Sequence, residues 1–252
     1  MKMASKLLSR DQSRIGQFIC IILVLIHHWS QISELNGIVL IFSPFKYIGG
    51  CACCGFFFFS GYGLYESYKK NVKSFKRQFI RKRFSKVLVP FIFSCIIYYF
   101  IWIFRAKQNF TFSNFFLSAL GLNLEVNGHF WFMQSLILLY VCLYFSILIV
   151  NTKTKQIILL FVVNILLILM IGRSCGYLSS LGFSIGIVAS HTNSDKNMRF
   201  EKKTLFCALG AFLICYYFAF YENIFFKFTF TLSLIAFLPL LVWSSKKIKA
   251  SN

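Results

Sequence analysis

Residues 87–104 read VLVPFIFSCIIYYFIWIF, and residues 130–150 read FWFMQSLILLYVCLYFSILIV. Neither run contains a charged side chain, and a helix needs about 20 mostly apolar residues to cross the hydrocarbon core of a bilayer. Working outward from these two, six further runs qualify: Ile15 to Ser33, Pro44 to Tyr65, Gln156 to Ile171, Ser174 to Ser190, Thr204 to Tyr221 and Ile224 to Trp243. The chain is therefore read as all-α, a multi-pass transmembrane bundle of about eight helices forming one integral membrane domain over residues 1–252. The Ser174 to Ser190 run is short and rich in Gly and Ser, which predicts either close helix packing or partial unwinding. Between the third and fourth spans, Phe112, Phe115, Phe116, Ala119 and Leu120 recur at helical spacing. That segment, Thr111 to Leu122, is too short to cross, so it is expected as an interfacial or re-entrant helix.

Composition excludes a soluble body. Of the 252 residues, 58% belong to the set AVILMFWYC and 19% are aromatic, while only 13% are charged, against about 25% in soluble domains. The net charge of +20, from 27 Lys and Arg against 7 Asp and Glu, would suit a nucleic-acid partner only on a water-soluble surface. Here the charges sit in small islands between apolar runs, so no nucleic acid is implied and the surrounding partner is membrane lipid. With the N-terminus in the cytoplasm, the inner segments 1–14, 66–86, 151–155, 191–203 and 244–252 hold 22 of the 27 basic residues. This is the distribution that the positive-inside rule requires, and it places both termini in the cytoplasm. The basic start, Lys2, Lys6, Arg10 and Arg14, precedes the first span without a small-residue cleavage site, so an uncleaved signal anchor is expected.

Polar groups inside spans are costly, so each is a functional candidate. Gln17 and His28 are eleven residues apart, which leaves them within about 20° on a helix and about 16 Å apart along its axis. Arg14 lies on nearly the same stripe, and His27 points elsewhere. The second span ends Gly55-Phe-Phe-Phe-Phe-Ser-Gly-Tyr-Gly63-Leu-Tyr-Glu66, where Gly61 and Gly63 would allow close backbone approach or break the helix. The basic stretch that follows, to Lys86, anchors topology and holds Arg77, Arg81 and Arg83, which suit a phosphorylated donor. At the start of the fourth span, His129, Trp131 and Gln134 combine polar groups with an interfacial aromatic; His191 falls on the inner side. Cys51, Cys53 and Cys54 do not match zinc spacing, and no metal is expected; buried thiols act as small hydrophobes.

Four of these stretches, in order, carry a resemblance: Gln17 through His28, Phe56-Phe-Phe-Phe-Ser-Gly-Tyr-Gly-Leu64, Arg81-Lys-Arg-Phe-Ser-Lys-Val-Leu-Val-Pro90, and His129-Phe-Trp-Phe-Met-Gln134. Together they resemble the acyltransferase-three family, bacterial multi-pass enzymes of the cytoplasmic membrane that O-acylate, usually O-acetylate, extracytoplasmic polysaccharides. The quoted motifs lie mainly between Ile15 and Tyr140. Where the family carries a basic residue upstream of the first-span histidine, this chain has Gln17, with Arg14 one turn away as a substitute cation. The family usually has about ten helices, so the resemblance implies a short variant.

The resemblance implies acyl-CoA, generally acetyl-CoA, as donor co-substrate with no bound cofactor, and a cell-surface saccharide as acceptor. A sugar hydroxyl needs a base to take its proton as it attacks the thioester, and His28 is the candidate, with Glu34 or Glu125 to orient it. Gln17 would donate to the oxyanion. Arg77, Arg81 and Arg83, with Ser60 and Gly61, fall on the donor side, Arg81 and Arg83 matching the family pattern most closely. His129, Trp131, Gln134 and Glu34 fall on the acceptor side. Two other classes share these features: a transporter or flippase of a polysaccharide precursor, and a non-catalytic subunit that keeps the architecture without the chemistry.

Overall fold

The computed structural model describes residues 7–35, 43–81, 85–107, 109–120, 122–123, 126–171, 175–192, 201–220 and 225–248. Among these residues the chain is helical, with no strand, and ten α-helices follow one another. They are α1 (Arg10–Leu35), α2 (Ile48–Lys70), α3 (Val72–Phe79), α4 (Ser85–Ala106), α5 (Phe112–Ala119), α6 (Phe130–Ile149), α7 (Lys153–Ile171), α8 (Leu181–Thr192), α9 (Lys202–Phe220) and α10 (Phe226–Lys247). Short 3₁₀ turns, Ser43–Phe45 and Cys175–Ser180, precede α2 and α8.

Six described helical segments are long and apolar enough to cross a membrane: Arg10–Ile32, Ser43–Lys70, Ser85–Ala106, Phe130–Ile149, Lys202–Phe220 and Phe226–Lys247. The protein is multi-pass, and six such segments are found among the described residues where the sequence suggests eight. The sixth run is the clearest departure. Instead of one span from Ser174 to Ser190, a 3₁₀ turn leads into the twelve-residue α8, roughly 18 Å long and too short to cross alone. Asn164 of α7 makes that break tolerable. It is fully buried, its Nδ2 donates to the Ser180 carbonyl (2.9 Å) and to Ser184 Oγ (3.1 Å), and its Oδ1 accepts from Ser180 Oγ (2.8 Å). Non-helical backbone at membrane depth survives only where such partners replace the lost ladder bonds. The sequence reading passed over Asn164, although it is a lone amide in an apolar run.

The described residues form two compact units, 1–67 with 164–252, and 68–163. In the first, α2 is the hub, because its glycines admit three neighbours. A Cβ on Gly49 would overlap the His27 ring of α1, one on Gly50 the Phe230 ring of α10, and one on Gly61 the Phe183 carbonyl of α8. From the other side, Gly182 and Gly186 of α8 rest on the Cys54 and Phe58 carbonyls. Small residues four apart are how helices without a hydrophobic driving force reach van der Waals contact. Gly61 thus allows close approach as the sequence suggests, but neither it nor Gly63 breaks α2, which continues to Lys70. Gly63 faces open space. Phe58, Phe59 and Tyr62 then bury against Leu234, Leu238 and Leu241 of α10 in a single apolar core.

The start of α1 carries a capping box: Ser9 N–H donates to Gln12 Oε1 (2.8 Å) while Gln12 N–H donates to Ser9 Oγ (3.1 Å). In the second unit, Phe91 and Cys95 of α4 pack on Phe130 of α6. The short helix expected between the third and fourth spans is present as α5. The Tyr99 hydroxyl donates to the Thr111 carbonyl (3.1 Å), and the Tyr99 ring meets Phe115 edge-on. Phe112 and Phe116 stay exposed, as suits an interfacial helix.

Gly186→Leu should lower the melting temperature of the detergent-solubilised protein by several degrees, since overpacking costs about 1–3 kcal/mol even where side chains can adjust and here the obstacle is backbone. Gly63→Ala should leave it within a degree. Equal melting of the two variants would refute α2–α8 backbone packing.

Candidate functional site

Arg14, Gln17 and His28 all lie on the single helix α1, where their spacing puts them on one stripe. Gln17 and His28 are both half-buried, and His28 Nδ1 lies 3.1 Å from Gln31 Oε1. Gln31, one turn on, is a side chain that meets the ring, and its i+3 position was the available signal. Glu125 and Arg83 lie outside the described residues, as does the side chain of Glu34. Arg14 is exposed and bonded to Asp11 at 3.3 Å. Such a surface pair is worth at most about 1 kcal/mol, so another anion displaces Asp11 at little cost.

His27 turns the other way. Gly16, Cys20 and Ser30 mark the buried face of α1, and His27 shares it, its ring lying over Gly49 of α2 and 5.3 Å from the His28 ring. Ser30 Oγ donates to the His27 carbonyl (2.7 Å). Near that end of α2, Ser179 Oγ donates to the Gly50 carbonyl (2.9 Å), so imidazole, hydroxyl and bare backbone gather around residues 49 and 50.

The far end of α2, roughly 25 Å along its axis, carries a second polar group. Ser190 Oγ donates to Glu66 Oε1 (2.8 Å), and the His191 ring lies edge-on to Tyr65, 6.2 Å between centroids. Tyr62 holds the chain N-terminal to α1: its hydroxyl accepts from the Leu8 N–H (3.0 Å) and is 3.4 Å from the Leu8 carbonyl. Ser60 is half-buried beside Gly61. The sequence reading singled out neither Glu66 nor Ser190 for a role, although an acid in a span is a signal by itself.

In the second unit, α3 turns the basic stretch into an ordered helix. Asn71 caps it, Oδ1 accepting from Ser74 N–H (2.9 Å). Phe75 and Phe79 bury one face. Phe75 meets Tyr68, and Phe79 stacks on Tyr144 of α6 with 5.1 Å between centroids. Gln156 of α7, itself buried, donates to the Tyr68 hydroxyl (3.3 Å) and the Val150 carbonyl (2.6 Å). Lys73, Arg77 and Arg81 remain exposed. His129 is exposed just before α6, its N–H donating to Asn127 Oδ1 (2.9 Å), and Trp131 and Gln134 are half-buried on the first turns of α6. The structure thus groups Gln17, His28, Ser60 and Gly61 in the first unit, and Arg77, Arg81, His129, Trp131 and Gln134 in the second.

A family model described as an acyltransferase domain matches residues 14–251. The chain belongs to the acyltransferase-three family. No curated protein and no solved structure matches it. The match reaches well past the motifs between Ile15 and Tyr140 and takes in α7 through α10, so the glycine-packed α8 and its asparagine clamp are part of the family region. Family membership together with the six apolar segments supports a membrane acyltransferase.

Removing Phe79 should free α3 from this acyltransferase. A buried Phe→Ala change costs about 3–5 kcal/mol, so Phe79→Ala membranes should be cut by trypsin at Lys73, Lys76 and Arg77 at least tenfold faster than wild type. Unchanged cleavage would show that the aromatic face does not hold the helix.

Proposed function

We propose that the protein is an O-acyltransferase of the bacterial cytoplasmic membrane, transferring an acyl group, in the simplest case acetyl, from acyl-CoA to a hydroxyl of an exported or cell-surface polysaccharide. The family match over residues 14–251 carries this reading. The cytoplasmic placement of both termini and the count of eight spans, the sixth made by the Cys175–Ser180 turn and α8 together, belong to the same proposal, and the clustering of 22 basic residues in alternate loops supports them.

His28 takes the proton of the sugar hydroxyl as the oxygen attacks the thioester carbonyl; neutral imidazole is the side chain suited to this near pH 7. The bond to Gln31 fixes the ring, which matters because a base helps only when it is aimed. Gln17 and Arg14 lie about 16 Å or more from His28 along α1, beyond reach of the same carbonyl oxygen, so the amide and the charge of Arg14 line the donor's path from the inner side instead. The C–S bond then breaks, the coenzyme thiol leaves, and the ester remains on the sugar. Arg77, Arg81 and Arg83 hold donor phosphates, and Ser60 and Gly61 belong to the donor side as the family motif implies. His129, Trp131, Gln134 and Glu34 face the saccharide, where an aromatic surface and amide groups suit a sugar ring.

One observation favours a second assignment of the base. His27, not His28, lies on the buried face of α1 against Gly49. If the saccharide reaches α1 from its α2 side, His27 is the imidazole it meets.

Labelled acetyl-CoA, purified protein in lipid nanodiscs and a bacterial surface polysaccharide test both assignments. His28→Ala should reduce transfer by 10²–10⁴-fold, the usual worth of a general base, at unchanged membrane level, while His27→Ala reduces it much less. The reverse pattern moves the base to His27. Full activity in both variants rejects a first-span base, and no transfer by the wild type with any saccharide favours the transporter or non-catalytic reading. Gln17→Arg should preserve or raise activity.

A further inference from the structure

The exposed side of α3 has an order that positive-inside topology does not need. Topology asks only for cations near the membrane on the correct side, and mobile lysines in a loop would serve. Here the cations are held. Asn71 caps the helix, Phe75 and Phe79 bury its opposite face, and the Tyr144 hydroxyl reaches the Lys76 carbonyl at 3.5 Å. Gln156 braces Tyr68, just before the helix. On the free side Lys73 and Arg77 stand one turn apart, about 6 Å along the axis, and Arg81 follows in the wider turn that closes the helix. All three are exposed. A short row of cations on a helix held from behind by aromatic packing matches a ligand carrying several phosphates at fixed separation.

We propose that Lys73 is a specificity-determining residue that binds the 3′-phosphate of the donor nucleotide, with Arg77 and Arg81 on the adjoining diphosphate. This rests on the acyl-CoA reading above and narrows it to 3′-phosphorylated coenzyme donors. The division follows from geometry. A diphosphate offers paired oxygens that a planar guanidinium grips with two parallel N–H bonds, whereas a terminal phosphate monoester is a compact dianion suited to an ammonium point charge. Holding the row rigid removes part of the ordering cost of binding, which is the physical use of the Phe75–Phe79–Tyr144 packing and of the Gln156–Tyr68 bond.

The test compares acetyl-CoA with acetyl-dephospho-CoA, which lacks only the 3′-phosphate, on the full-length protein in nanodiscs of zwitterionic lipid and again in nanodiscs rich in phosphatidylglycerol. Lys73→Ala should raise KM for acetyl-CoA about tenfold, the scale of one charge-assisted hydrogen bond, and change KM for acetyl-dephospho-CoA less than twofold. The kcat should stay within twofold for both donors, and Lys73→Arg should recover most of the loss. Equal effects on the two donors, or none on either, would overturn the assignment. So would an effect that follows the lipid rather than the donor, because the row would then read lipid headgroups. Wild-type protein that uses neither donor would instead reject the acyl-CoA reading itself, whereas wild type using both equally well leaves that reading standing and removes only the 3′-phosphate site.

Discussion

Backbone contact between α2 and α8 is the constraint on which the first unit depends. Gly61 leaves room for the Phe183 carbonyl, and Gly182 and Gly186 leave room for the Cys54 and Phe58 carbonyls. In a bilayer no hydrophobic force drives apolar helices together, so close packing of this kind has to supply the attraction. The consequences run in both directions along α2. Toward its start, Gly49 and Gly50 receive His27 and Phe230; toward its end, Glu66 comes within hydrogen-bonding reach of Ser190. One helix, through Gly49, Gly50 and Gly61, thereby sets the positions of groups on α1, α8 and α10.

That contact also explains why α8 is short. A helix drawn this close by its glycines is preceded by a 3₁₀ turn whose carbonyl and hydroxyl groups would be costly in hydrocarbon. Asn164 answers with three hydrogen bonds to Ser180 and Ser184. The Gly- and Ser-rich composition of residues 174–190 suggested packing or unwinding as alternatives, and the structure contains both, each making the other possible.

The second unit solves a different problem, the ordering of charge. Nine basic residues between the second and third spans would repel one another on a loop. With Phe75 and Phe79 buried and Asn71 capping, Lys73, Lys76 and Arg77 are spread along a helix, and its amphipathic spacing was readable from the Val72, Phe75 and Phe79 positions. What covers the apolar side was not readable, because Tyr68, Tyr144 and Gln156 lie in separate segments of chain. The same limit applies at His28. The eleven-residue spacing to Gln17 is a property of any helix and was legible, as was the resemblance carried by the ordered motifs. The contact of Gln31 with His28, and the packing of His27 over Gly49, depend on rotamers and on a second helix.

By itself the sequence determined that this is an all-helical, multi-pass membrane protein with the motifs of a membrane acyltransferase. Apolar length, charge asymmetry and short-range spacing are local properties, and the bilayer imposes the same demand on every span. Only the tertiary structure decided which histidine faces the core, that Asn164 clamps a broken helix, and that α3 displays its cations from a fixed aromatic base. Each of those depends on residues tens of positions apart meeting at van der Waals or hydrogen-bond distance, and helical periodicity carries no information about which faces meet.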